Sequence, residues 1–130
     1  IPDAAGDPAK VKRVLVVSGR LYYDLIATRA KHNDETTAII RLEQLYPMPL
    51  EELQAELDKY SGATEFVYAQ DEPANQGPWP FLALNLQPLL KQDLQLVARK
   101  ESAATSVGQA KRHAKELETL LAQAFPHLEL

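Results

Sequence analysis

Apolar residues fall along this chain in short runs and helical stripes that alternate with one another. Val11 to Ser18 (VKRVLVVS) ends in a continuous apolar run, the pattern of a strand covered on both faces. Leu21 to His32 then places Leu21, Leu25, Ile26 and Ala30 on one helix face, and Asn33-Asp34-Glu35 breaks the pattern. Thr36 to Leu42 (TTAIIRL) is a second β-rich run. Pro49 to Tyr60 sets Pro at a helix start and Leu50, Leu53 and Leu57 on one side, with Ser61-Gly62 closing it. Glu65 to Gln70 (EFVYAQ) predicts a third strand, Trp79 to Leu90 a broken helix carrying Pro80 and Pro88, and Leu94 to Arg99 (LQLVAR) a fourth strand. Val107 to Phe125 carries Val107, Ala110, Ala114, Leu117, Leu120, Leu121 and Ala124 on one stripe before Pro126, an amphipathic helix.

Strands alternating with helices predict an α/β fold, because parallel neighbours need crossovers that lay helices on the sheet. The expected form is a three-layer α/β/α domain with a mostly parallel sheet of about four strands in the order 2-1-3-4. Residues 1–10, rich in Pro, Gly and Asp, read as a lead-in; 11–126 read as the domain and 127–130 as a tail. In such sheets the functional edge lies beyond the carboxyl ends of the strands. The polar residues follow that rule. Ser18-Gly19-Arg20 with Tyr22, Tyr23 and Asp24 comes after the first strand, and Glu43-Gln44-Leu45-Tyr46-Pro47 after the second. Gln70-Asp71-Glu72-Pro73-Ala74-Asn75-Gln76-Gly77 comes after the third, and Arg99-Lys100-Glu101-Ser102 after the fourth. All four clusters are expected on one rim.

Composition narrows what that rim can do. A chain of 130 residues with 45% apolar content makes one domain around one core. A net charge of −4 without a Lys/Arg stripe argues against nucleic acid. There is no cysteine, so disulfides, thiolate metal sites and a Cys nucleophile are excluded. Apolar runs such as Val14 to Val17 are far too short to span a membrane, and Ile1-Pro2-Asp3 has no signal-peptide pattern. The start at Ile rather than Met suggests a piece of a longer product.

No catalytic set emerges from the residue types. Asp71 and Glu72 are adjacent, but neighbours at a strand end point to opposite sides, which makes a shared-proton pair awkward. A carboxylate followed by Pro, Asn, Gln and Gly reads more economically as a turn that docks on another surface. Ser18-Gly19 between strand and helix falls short of a phosphate-binding G-x-G-x-x-G. His32, His113 and His127 have no metal-ligand spacing and are expected to face solvent. Lys111, Arg112 and Lys115 are offset by Glu116 and Glu118, as on a solvated helix face. Tyr22 and Tyr23 suit an interface, whereas for Trp79 a core plug and a docking role stand equal.

Four segments carry a resemblance. VLVVSGRLYYDL (14–25), AIIRLEQLYPMP (38–49), QDEPANQGPW (70–79) and SAATSVG (102–108) resemble, in order and spacing, the signature segments of the C-terminal domain of the 2-oxoglutarate dehydrogenase family, the decarboxylating first component. The likeness runs from about Val11 to Phe125. The 2-oxoadipate dehydrogenases are similar in these segments; transketolase and the pyruvate dehydrogenases share the fold but not the full words. The resemblance implies a fold like the transketolase C-terminal domain. It also implies thiamine diphosphate and Mg²⁺ in the parent enzyme, held by preceding domains, and no catalytic, cofactor-binding or metal residue in this chain. The implied partners are those preceding domains, the second subunit of a homodimer and the dihydrolipoyl succinyltransferase component, with neither nucleic acid nor membrane. The implied compartment is the bacterial cytoplasm rather than the mitochondrial matrix. On this likeness Tyr22, Tyr23, Gln44, Glu72, Asn75, Gln76 and Trp79 are the expected inter-domain or dimer contacts, and Glu72 needs a partner charge across the boundary.

Two positions depart from the family pattern. Actinobacterial members read an acetyl-CoA effector partly through basic residues after the P-x-P that follows E-Q-L. Here those places hold Leu50, Glu51 and Glu52, whose carboxylates would repel its phosphates. Lys100-Glu101 stands where relatives more often carry Arg-Pro or Arg-Arg, and only Arg99 keeps the positive charge. A free-standing ligand-binding or regulatory α/β module is the alternative of a different class, which fold alone does not exclude.

Overall fold

The computed structural model describes residues 7–43, 50–99 and 109–128. In chain order the elements are β1 (Arg13–Val17), α1 (Leu21–Lys31), β2 (Thr37–Arg41), α2 (Leu50–Asp58), β3 (Glu65–Pro73), α3 (Trp79–Asn85), β4 (Gln95–Arg99) and α4 (Gln109–Ala124). Short 3-10 turns occupy Pro8–Lys10 and Gln87–Leu89. The strands form one sheet in the order β2-β1-β3-β4, and all three pairings are parallel. This is the α/β architecture and strand order that the sequence pattern predicts.

The continuous apolar run of β1 follows from its central place in the sheet. Val14 and Val16 point to one face and Leu15 and Val17 to the other, and all four are fully buried. On the first face Leu53 and Leu57 of α2 and Leu82 of α3, with Leu86 beyond it, cover Ala38, Ile40 and Tyr68. On the second, Leu21 and Leu25 of α1 and Leu120 and Ala124 of α4, with Phe125 after it, cover Ile39, Val67, Ala69 and Val97. Three layers result. In the stripe of the last helix, Leu117 and Leu121 also pack on this face, while Val107 and the side chains of Ala110 and Ala114 lie outside the described residues.

α3 starts at Trp79 as the pattern expects, with Pro80 in its first turn where a missing N–H costs nothing, and it stops short of Pro88, which lies in the 3-10 turn beyond. One boundary differs from the sequence pattern for an identifiable reason. β3 continues past Gln70 to Pro73, because its pairing with β4 shifts register between Ala69 and Pro73 and re-forms at Pro73 opposite Arg99. The bulge lifts Gln70, Asp71 and Glu72 out of the regular ladder.

The amino ends of the strands are closed by the chain's last residues. Arg13, mostly buried, donates to the carbonyls of Ala124 (2.8 Å) and Gln123 (3.0 Å) at the end of α4 and pairs with Glu65. These bonds satisfy carbonyls that a helix end leaves without partners. His127 is not simply turned to solvent. Its Nε2 lies 2.7 Å from Asp34 Oδ2 and 3.2 Å from Thr37 Oγ1. Asp34 also accepts from the Thr36 N–H and from the Thr36 and Thr37 hydroxyls. Burial alone would raise the Asp34 pKa, but the bonds from Thr37, Thr36 and His127 together hold it down at about 2.

Candidate functional site

The carboxyl ends of the strands gather two groups of side chains. The first lies beyond β1 and β2. Tyr22 and Tyr23, in the first turn of α1, meet edge to face at 5.4 Å, and the Arg41 guanidinium at the end of β2 lies 5.0 and 5.2 Å from their ring centres. Tyr22 packs against the core, whereas Tyr23 is 59% exposed. Adjacent helix positions point about 100° apart, which divides the pair in this way. Gln44, placed with them by the sequence pattern, lies outside the described residues, as do Leu45 to Pro47 and Lys100 to Ser102.

The second group is the loop after β3, and its centre is Gln70. This side chain is fully buried; its Nε2 donates to the carbonyls of Glu72 (3.1 Å), Pro73 (2.8 Å) and Gln76 (2.9 Å), and its Oε1 accepts the Trp79 N–H at 2.8 Å. One amide thus replaces the backbone ladder that the loop lacks. The Gln76 N–H closes a turn on the Pro73 carbonyl at 2.9 Å, and Gly77 follows at φ +64°, the left-handed region that glycine enters without a Cβ penalty. The Glu72 side chain lies against Gly77, so closely that a Cβ there would collide with its carboxylate. Asn75 and Gln76 are exposed at the tip.

Tyr68 and Trp79 join the loop to the sheet. Their rings stack at 5.8 Å, and the Tyr68 hydroxyl lies 2.5 Å from Ser18 Oγ at the end of β1. Burial pushes the Tyr68 pKa up to about 12; the Ser18 bond opposes this and the Glu72 charge adds to it. Trp79 also packs against the apolar cluster under α2 and α3.

The two adjacent acids of this rim are held differently. Asp71 is held by Arg99, whose Nε and Nη2 lie 2.8 and 2.6 Å from Asp71 Oδ1 while Nη1 reaches Glu116 at 3.0 Å. Arg99 is 8% exposed, so its charge is directed inward at these two carboxylates. Glu72, half-buried, has no cationic partner among the described residues. No cluster of three or more His, Cys, Asp or Glu able to hold a metal occurs among the described residues. Glu51 and Glu52 stand exposed in the first turn of α2, where negative charge suits the helix dipole.

The sequence pattern places Tyr68 and Gln70 in the third strand and Arg41 in the second, and gives none of the three a role at the rim. The signal for Gln70 was present: Phe66, Tyr68 and Gln70 continue one period of two, so a polar side chain at the third position points inward and must find partners.

Fold and rim together define a parallel three-layer α/β domain that presents a pinned polar loop at the carboxyl ends of its strands. The sequence matches the family model described as 2-oxoglutarate dehydrogenase C-terminal over residues 1–125, and the chain belongs to that family. It is 42% identical over 126 residues to the multifunctional 2-oxoglutarate metabolism enzyme of Mycolicibacterium vanbaalenii, covering 95% of this chain and 10% of that protein. It is 45% identical over 123 residues to the 2-oxoglutarate dehydrogenase E1 component of Cupriavidus necator, covering 93% of this chain and 13% of that protein. The chain therefore spans a small fraction of the length of the relatives it matches. No helix among the described residues is long and apolar enough to cross a membrane.

Proposed function

We propose that this chain is the C-terminal structural and subunit-contact domain of a 2-oxoglutarate dehydrogenase, an oxidoreductase of the tricarboxylic acid cycle, and catalyses nothing alone. The parent decarboxylates 2-oxoglutarate with thiamine diphosphate and Mg²⁺ and passes the succinyl group to a lipoyl carrier on the dihydrolipoyl succinyltransferase component, in the bacterial cytoplasm. No three metal-ligating side chains gather among the described residues, and thiamine diphosphate and Mg²⁺ are assigned to the preceding domains. This chain's contribution is to hold the strand-end rim rigid against the preceding domains and the second subunit of a homodimer.

The observation that carries this reading is the Gln70-pinned loop. Four hydrogen bonds fix its backbone, yet Glu72 is left half-buried with no cation beside it among the described residues. A carboxylate held rigidly in that setting is stabilised by an Arg or Lys supplied from across a boundary. Tyr22, Tyr23, Gln44, Asn75, Gln76 and Trp79 complete the proposed contact.

The test compares this chain with its full-length parent, each given thiamine diphosphate, Mg²⁺, 2-oxoglutarate and an artificial electron acceptor. Turnover by the parent and none by the chain is expected, and turnover by the chain alone overturns the proposal. A parent active only on 2-oxoadipate moves the assignment to the sister enzymes. In the parent, Glu72→Gln is expected to weaken the dimer or lower its melting temperature. With Glu51 and Glu52 after the P-x-P, acetyl-CoA is expected to leave parent turnover unchanged.

A further inference from the structure

We infer that the outer face of α3 and the turn behind it form a second docking surface, apolar in character, and that the preceding part of the same long polypeptide covers it. The inference rests on reading the chain as one domain of that polypeptide, and it concerns a surface separate from the polar rim.

Phe81 is 43% exposed, Leu84 79% and Leu89 63%, and Pro88 is exposed between them. On the opposite side Leu82, Leu86 and Leu90 are buried against α2 and the sheet. Apart from Asn85 and Gln87, the segment from α3 to the turn is thus apolar on its outer as well as its inner side, a pattern closer to buried helices than to surface ones. Scattered exposed leucines need no explanation, but these sit within one short segment. Residues 73–90 (PANQGPWPFLALNLQPLL) include no charged side chain, in a chain that is 25% charged. Loss of charge is the compositional mark of the centre of a protein interface.

The occupant follows from length and continuity. This chain covers 10 to 13% of its relatives, so most of such a polypeptide lies outside it. A tethered segment meets the patch at an effective concentration in the millimolar range, above that of any free partner. α3 also starts at Trp79, directly after the rim loop in sequence.

Hydroxyl-radical footprinting of the full-length polypeptide tests this, with oxidation at Leu84 and Leu89 normalised to the same sites after urea unfolding. Protection of roughly tenfold is expected for side chains shut into a dry contact, and protection under about twofold overturns the inference. Leu84→Asp with Leu89→Asp leaves the domain's own core untouched. In the full-length protein the pair is expected to restore labelling at Phe81 and to lower the melting temperature by several degrees. Protection that disappears on dilution to monomer would assign the patch to a second copy and overturn the commitment to the same chain. The intact mass of the native product separates the two proposals. A mature protein near 14.5 kDa sinks the proposed function, whereas a long product with exposed Leu84 and Leu89 sinks only this inference.

Discussion

At the scale of single residues, Asp34 links the protonation of one carboxyl to the stability of the fold. Its folded pKa of about 2 lies below the ordinary 3.8, so its contribution is fully present above about pH 4 and is lost as the pH falls towards 2. A shift of that size corresponds to about 2 kcal/mol. Asp34→Asn is therefore expected to destabilise the chain by about 2 kcal/mol at pH 7 and much less at pH 2. Urea unfolding of both proteins at several pH values measures the difference; equal gaps at pH 7 and pH 2 would mean that the carboxylate does not carry the contact.

At the scale of elements, the loop between β3 and α3 is a unit whose parts are matched to one another. Gly77→Ala adds a methyl group where Glu72 already lies and strains a left-handed backbone, and is expected to cost about 2 kcal/mol. In a Glu72→Ala background the collision vanishes and only the backbone strain remains, about 1 kcal/mol. Thermal unfolding of the four proteins completes the cycle. A Gly77→Ala cost that is the same in both backgrounds would mean that Glu72 does not lie over the glycine in solution.

The same loop marks the limit of what local pattern reveals. Strand order and helix faces were legible because Val14 to Val17, Leu53 with Leu57, and Leu120 with Ala124 repeat at periods that follow directly from backbone geometry. The extension of β3 to Pro73 was not, since it depends on pairing with Arg99, a partner remote in sequence. The pairing of Arg99 with Asp71 and that of His127 with Asp34 join residues 28 and 93 positions apart, which periodicity does not relate. Of the candidate contacts, the words after β1 and β3 fall at the strand-end rim; the inward direction of Gln70 was legible from its period of two with Phe66 and Tyr68, but its partners emerged only from three-dimensional contacts.

At the scale of the whole molecule, the two sides of the sheet are closed by different stretches of chain. α2 and α3 cover one side with residues from the middle of the sequence, whereas the other is completed by Leu120, Ala124 and Phe125. Leu120→Ala at the centre of that side is expected to cost about 3 kcal/mol, read from the midpoint of urea unfolding. Arg13 reaches across 111 positions to the Ala124 carbonyl, tying the first strand to the last helix. During synthesis, then, the part of that face which α1 does not cover, Val97 of β4 included, stays open until α4 has left the ribosome. A polypeptide stalled before residue 109 presents a hydrophobic sheet face to the cell, which makes the nascent domain a client for chaperones.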